Sequence, residues 1–291
     1  MFNATQITVS LLIILILISY GNLQWGSPLI SIVNRWLRWI VFSLVVATLV
    51  TRFGWTGRPY ESIAVIAFLI WFLLESVYTW IMIAFLSRSP IPLFPRFKTN
   101  DKSDEWPVQK KYIAIRDWLR SNGFKKLESI KTEIEDSIAI RSTIYQDNEG
   151  MIRLQVLFFP QRAGNVTACY IVSSKTVTGD YYLTDNVYLP FGGFYPENWY
   201  IVRKPLIRSL ERIIRFHRRR LKGQELLLWS DEDALADINR QQSKLEQINL
   251  QLGFLTPHNQ QDEFGRLTKE GHYRIWKEIW LLNYFGMTVH Y

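Results

Sequence analysis

The stretch Ser62 to Leu86, SIAVIAFLIWFLLESVYTWIMIAFL, carries one charge, Glu75. At about 1.5 Å per residue a helix of this length reaches roughly 38 Å, against roughly 30 Å of bilayer hydrocarbon, so it predicts a tilted membrane-spanning helix. This divides the chain. Residues 1–98 read as a transmembrane anchor region and residues 99–291 as a soluble domain long enough to bury its own core. The mean hydropathy of −0.02 averages these two materials and describes neither.

Upstream, Thr5 to Trp25 is apolar and just long enough to cross. It lacks the positive n-region and small-residue cleavage site of a secretory signal, so it reads as a retained anchor. Trp39 to Thr51, between Arg38 and Arg52, covers only about 20 Å and crosses only if those arginines snorkel to opposite surfaces. The expectation is two or three spans, with Trp25, Trp36, Trp39 and Trp55 at their ends. Arg35 and Arg38 read as first-loop cations. Arg88, Arg96, Lys98, Lys102, Lys110 and Lys111 follow the last span. Positive-inside bias then places the amino terminus outside and the large carboxy-terminal domain in the cytoplasm.

Glu75 lies midway along its span, where an ionised carboxylate costs on the order of 3 kcal/mol. As a functional group it would relay protons or anchor a polar group of a neighbouring subunit. Because its span holds no cation, a protonated carboxyl bonded to a hydroxyl such as Ser43 or Thr48 is the favoured reading.

Ser89 to Pro95 holds three prolines and predicts a stiff connector. Asp104 is a candidate cap for a helix reaching Asn122, with Gly123 as the stop. Three alternating patterns predict strands: Ile138, Ile140 and Ile144; Ile152, Leu154, Val156 and Phe158; and Val166, Ala168, Tyr170 and Val172. Hairpin turns at Asp147 to Gly150 and Arg162 to Asn165 join them, and Tyr181 to Val187 adds another strand. The predicted fold is α+β: an antiparallel sheet packed with helices, following two or three transmembrane helices.

The loop Leu189 to Pro196 offers Phe191, Phe194 and Tyr195 to a partner or bilayer, or uses them to cover the end of the sheet, which is favoured. A helix is expected over Pro205 to Leu221, with Leu206, Leu210, Ile213, Ile214 and His217 on one side. Around it Arg203, Lys204, Arg208, Arg212, Arg215, Arg218, Arg219, Arg220 and Lys222 face a single acid, Glu211, matching the net charge of +8 of the whole chain. Beside a membrane anchor, anionic lipid headgroups are the first expected partner of these cations, ahead of solvent; nucleic acid is disfavoured because no nucleic-acid module accompanies them. Ser230 with Asp233 resembles a capping pair for a helix running toward Gly253. Thr268 caps a final helix ended by Gly286, whose apolar side completes the core or lies on the interface, with the core favoured.

Residues that carry chemistry are sparse. The histidines are His217, His258, His272 and His290, without metal-site spacing, and the lone Cys169 sits in a strand pattern that suits a small buried residue. No phosphate loop or nucleophile elbow is present, and no cofactor is implied. Asp185, Glu197 and Glu263 remain possible acid–base carboxylates. The expected function is a non-catalytic, membrane-anchored accessory or assembly subunit of a larger membrane protein complex. The alternatives are a membrane-associated hydrolase or transferase using Asp185, His258 or His272 on an anionic substrate, and a lipid-sensing module.

Overall fold

A computed structural model describes residues 4–100, 106–135, 138–160, 166–229 and 233–289. Three long apolar helices come first: α1 (Ala4–Trp25), α2 (Pro28–Arg52) and α3 (Tyr60–Arg88). All three are long and apolar enough to cross a membrane. The second is longer than its apolar run suggested, because Ser27 and Pro28 start it eleven residues before Trp39. Arg35 and Arg38, expected in a loop, therefore lie on the helix, and the turn between α1 and α2 is reduced to Gly26 and Ser27. Side-chain amides lock this hairpin. Asn22 donates to Ser31 Oγ at 2.8 Å and accepts from the Ser27 amide at 2.9 Å, while Ser19 donates to Asn34 Oδ1 at 3.1 Å. In lipid such bonds replace the water these groups would otherwise hold.

The last helix, α8 (Lys269–Phe285), clusters with these three and not with the sheet. Thr268 caps it as expected, accepting from the Gly271 amide at 3.0 Å. Its aromatic side was expected in the core; it packs on α2 and α3 instead. Trp276, Trp280 and Tyr284 recur at intervals of four, so they form one ridge. Trp276 meets Trp80 at 6.5 Å, Trp280 meets Phe72 at 5.1 Å, and Tyr284 meets Trp36 at 5.3 Å. The buried Trp39 stacks on Phe68 at 4.4 Å. Its indole donates to the Phe68 carbonyl at 2.8 Å, and that of the half-buried Trp36 to the Tyr284 carbonyl at 2.9 Å, so neither ring leaves an orphaned N–H. The polar side of α8 is capped by other chain segments. Arg274 Nε donates to the Gly192 carbonyl at 2.7 Å, and Glu278 accepts from the Val289 amide at 2.9 Å. Gly192 has φ +69°, and a Cβ there would meet the Arg274 backbone at 2.9 Å, so this close approach requires glycine.

The second unit is built on a sheet of strands β1 (Lys98–Thr99), β2 (Lys125–Glu135), β3 (Ile138–Gln146), β4 (Arg153–Pro160), β5 (Val166–Thr176), β6 (Tyr181–Asp185) and β7 (Trp199–Arg203), adjacent in that order. A two-residue strand β8 (Leu226–Leu227) adds to the end of β5. Pairing is antiparallel through β6. The β6–β7 pair is parallel, so the sheet is mixed where a wholly antiparallel one was expected. The alternating residues of β4 decide its layers. Leu154, Val156 and Phe158 face one core with α4 (Lys110–Ser121) and α5 (Leu210–Arg220). Leu157 faces the other, with Ala234 and Ile238 of α6 (Ala234–Gln251). The expected turn at Asp147 forms: its carboxylate accepts from the Met151 and Ile152 amides, each at 2.9 Å.

The helix starts shift from the sequence reading. Asp104 lies outside the described residues, as do the turn at 162–165 and the Ser230 cap; the observed N-cap of α6 is Asp233, accepting from the Leu235 amide at 2.9 Å. The basic helix begins not at Pro205 but after Ser209, whose hydroxyl caps the Arg212 amide. Beyond α6 lie a 3₁₀ turn (His258–Gln260) and α7 (Gln261–Phe264). The proline connector is held by Arg266, whose guanidinium donates to the Ser89 and Ile91 carbonyls.

Candidate functional sites

Helix α5 buries Leu210, Ile213, Ile214 and His217 against the sheet and turns its charged side to solvent. The nine cations around it divide into three groups. Arg203 and Arg220 are structural. Arg203 donates to Asp185 at 3.3 Å and to the Val187 and Leu189 carbonyls at 3.1 and 2.9 Å. Arg220 donates to the Leu183 carbonyl and Thr184 hydroxyl, both at 2.7 Å, and to the Tyr200 carbonyl at 2.7 Å. Lys204 is half-buried, its ammonium 5.1 Å from the Phe216 ring. Arg208, Arg212, Arg215, Arg218, Arg219 and Lys222 are exposed, with Arg215 paired to Glu211 one turn earlier. That face is strongly positive and rests on a fully committed apolar side.

Beneath it, His217 is fully buried between Ser174 Oγ, 3.2 Å from Nε2, and Thr184 Oγ1, 2.9 Å from Nδ1. Burial first, then Arg220 and Arg218, lower its pKa to about 3, so it is a neutral hydrogen-bonding strut.

A second cluster has no counterpart in the sequence reading. Arg153 of β4 and Asp237 of α6, both nearly inaccessible, pair at 3.0 Å. Lys175 reaches the same carboxylate at 3.2 Å, Arg240 approaches it at 3.6 Å, and Gln241 donates to it at 2.9 Å. The Trp229 ring lies 4.1 Å from the Arg153 guanidinium and 4.2 Å from the Lys175 ammonium. The one signal in the sequence is an arginine inside a strand that is otherwise apolar or neutral, at a position the pleat turns inward.

Among the membrane helices, Glu75 has a charged partner, correcting the expectation of a hydroxyl. Arg35 Nη1 lies 3.4 Å from Glu75 Oε1, and the Trp71 indole donates to Oε2 at 3.0 Å. Ser43 and Thr48 instead bond back to their own helix, at the Trp39 and Leu44 carbonyls. The misplacement of Arg35 in a loop hid this pair. Arg35, Arg38, Trp71, Glu75, Tyr78 and Tyr284 line an open pocket of about 420 Å³.

The remaining candidates separate. Asp185 is buried against Arg203; desolvation raises its pKa, and Arg203 opposes that shift. His258 sits on the exposed 3₁₀ turn, and His272 stacks on Trp80 at 6.2 Å. Glu197 and Glu263 are exposed. Cys169 is buried, which pushes its thiol up to about 11 and disfavours the nucleophilic thiolate. Phe191, Phe194 and Tyr195 are half-buried. The Phe194 backbone is clamped by Asn249, whose side chain accepts from its amide at 2.7 Å and donates to its carbonyl at 2.9 Å, so that part of the loop is pinned. Among the described residues, no three His, Cys, Asp or Glu side chains gather as a metal site. No protein-family model, curated protein or solved structure matches the chain.

Proposed function

We propose that this chain is a membrane-anchored accessory subunit whose exposed arginine face on α5 engages an anionic surface, in the first place lipid headgroups. The observation that carries this reading is the division of labour on α5: its apolar side belongs to the core, while Arg208, Arg212, Arg215, Arg218, Arg219 and Lys222 are exposed. A helix so committed does not insert its apolar side into a bilayer; it docks by charge alone. Each cation near an anionic surface contributes about 1 kcal/mol, and only within a Debye length of roughly 8 Å at physiological salt. The α1 helix exposes Ile13, Ile16, Leu17 and Leu23, an apolar surface suited to lipid or to another membrane subunit. The cytoplasmic orientation of the large domain belongs to the same proposal: Arg88, Arg96 and Lys98 follow α3, and Arg35 and Arg38 lie in the half of α2 nearest its first residue.

The test uses the full chain in nanodiscs of neutral or anionic lipid, with an arginine-specific dicarbonyl as footprinting reagent. Modification of Arg212, Arg215, Arg218 and Arg219 is expected to slow several-fold in anionic discs at low salt and to recover at high salt. Equal rates in both lipids would overturn the lipid-facing role.

A further inference from the structure

On the side of the sheet covered by α6, a pocket of about 240 Å³ opens between the β5–β6 turn, β7 and α6. At roughly 30 Å³ per water it has room for about eight, the scale of a compact organic molecule. Its charge is lopsided. Lys175, Arg240 and Lys244 line it with a single described acid, Asp237, and that carboxylate is already paired with Arg153. One anion therefore faces four cations, two of which, Arg240 and Lys244, are exposed one turn apart on α6. The opposite wall is aromatic. Trp199 and Tyr181 lie against each other at 4.9 Å, and the Lys244 ammonium is 5.8 Å from the Trp199 ring.

Asp237 is held by Arg153 on its buried side and by the amide of Gln241, so it is fixed in place as the one described acid of the pocket lining. A dianion entering between Lys175, Arg240 and Lys244 would complete the charge balance, with low-dielectric walls strengthening each contact. Planar apolar atoms attached to it would lie against Trp199.

We infer that this pocket binds the phosphate of a small phosphate monoester, gripped by Lys175, Arg240 and Lys244 with its organic part against Trp199. The site is distinct from the exposed face of α5. Its ligand is a soluble metabolite or the head of a phosphomonoester lipid; the phosphate chemistry is common to both.

The test is ³¹P line broadening by the full chain in a phosphate-free maltoside detergent. The probes are phenyl phosphate, inorganic phosphate and dihexanoyl phosphatidic acid below its micelle concentration. Saturable broadening is expected, about tenfold tighter for phenyl phosphate than for inorganic phosphate because of the ring contact. A soluble ligand is indicated if phenyl phosphate binds more tightly than the short-chain lipid, and a lipid head if the order reverses. Arg240→Gln with Lys244→Gln, both exposed and so compatible with the fold, should weaken binding at least about tenfold with an unchanged melting midpoint. No saturable broadening by any probe up to about 10 mM, or unchanged affinity in the double variant, would overturn the inference.

Discussion

The two units of this protein treat arginine in opposite ways. Among the apolar helices Arg35 is matched to one carboxylate, Glu75, which a tryptophan N–H also holds. In the sheet unit three cations crowd a single carboxylate, Asp237, and six more stand exposed on or beside α5. The difference follows from the solvent. In hydrocarbon, an unmatched charge has nothing else to stabilise it, so charge must be balanced locally. In the sheet unit, exposed cations keep their hydration, and the buried ones, Arg153 and Arg203, each have a fixed carboxylate partner. The larger charge excess is thus in the sheet unit, since beside the Arg35–Glu75 pair only Arg38 adds a further cation to the pocket lining, and the sheet unit is where ligands of opposite sign are to be sought.

The largest expected effect comes from breaking the inaccessible pair. Asp237→Asn leaves Arg153 buried without a counter-charge and should destabilise the sheet unit by about 3–5 kcal/mol, read as a fall in its denaturant midpoint. A variant as stable as the parent would show that Trp229 and water suffice for Arg153. Next, Glu75→Gln should lower stability by about 2 kcal/mol because Arg35 is then unmatched, and adding Arg35→Gln should restore most of it. If the double variant is worse than the single one, the pair is not the unit that matters.

His217 sharpens the comparison from the neutral side, since a second positive charge cannot be accommodated beside Arg220. Its folded pKa of about 3 lies below the ordinary 6.5. The unfolded chain therefore binds the extra proton between those values, and the stability is fully present above 6.5 and lost as pH falls. The slope from this one group approaches about 1.4 kcal/mol per pH unit. In the pH 5–6.5 window, before carboxylates dominate, His217→Gln should flatten the dependence of the melting midpoint; an unchanged slope would assign it to other groups. The smallest effect is expected on α5, where replacing Arg212, Arg218 and Arg219 by Gln should alter stability by less than about 0.5 kcal/mol each. A large loss would mean that these side chains are structural after all.

What the sequence makes legible depends on whether the information is local. The first and third apolar helices, strands β3 to β5 and the Thr268 cap rest on periodicity or a single capping residue, and they form as read. Strand β2 escaped because Leu127, Ile130 and Ile134 are its only apolar residues among charged and polar ones, and Leu127, at a bulge between Lys126 and Glu128, faces outward while Ile130 is in the core. The start of α2 escaped because two arginines interrupt its apolar run. The ion cluster escaped for a different reason: Arg153 was a signal by itself, but Arg153, Lys175 and Asp237 meet only through tertiary folding, and no local rule links them. The basic helix was visible as a charge run, but which cations were already committed required the structure. Nothing in residues 203 to 222 distinguishes Arg220, bound to three carbonyl or hydroxyl oxygens, from Arg219, exposed beside it.

The aromatic ridge of α8 sets a schedule for biosynthesis. Trp36, Trp39, Phe72 and Trp80 are made first, whereas the rings that cover them, at 276, 280 and 284, follow only after the whole sheet unit has been synthesised. About 200 residues separate Trp80 from Trp276, a delay of roughly 10–40 s at translation rates of about 5–20 residues per second. Throughout that interval the three inserted helices wait with an uncovered aromatic groove. A chain released early by a stop before Lys269 would keep its membrane spans and its sheet sequence yet never close that groove, so quality control could recognise the truncated product by a surface that the finished protein hides.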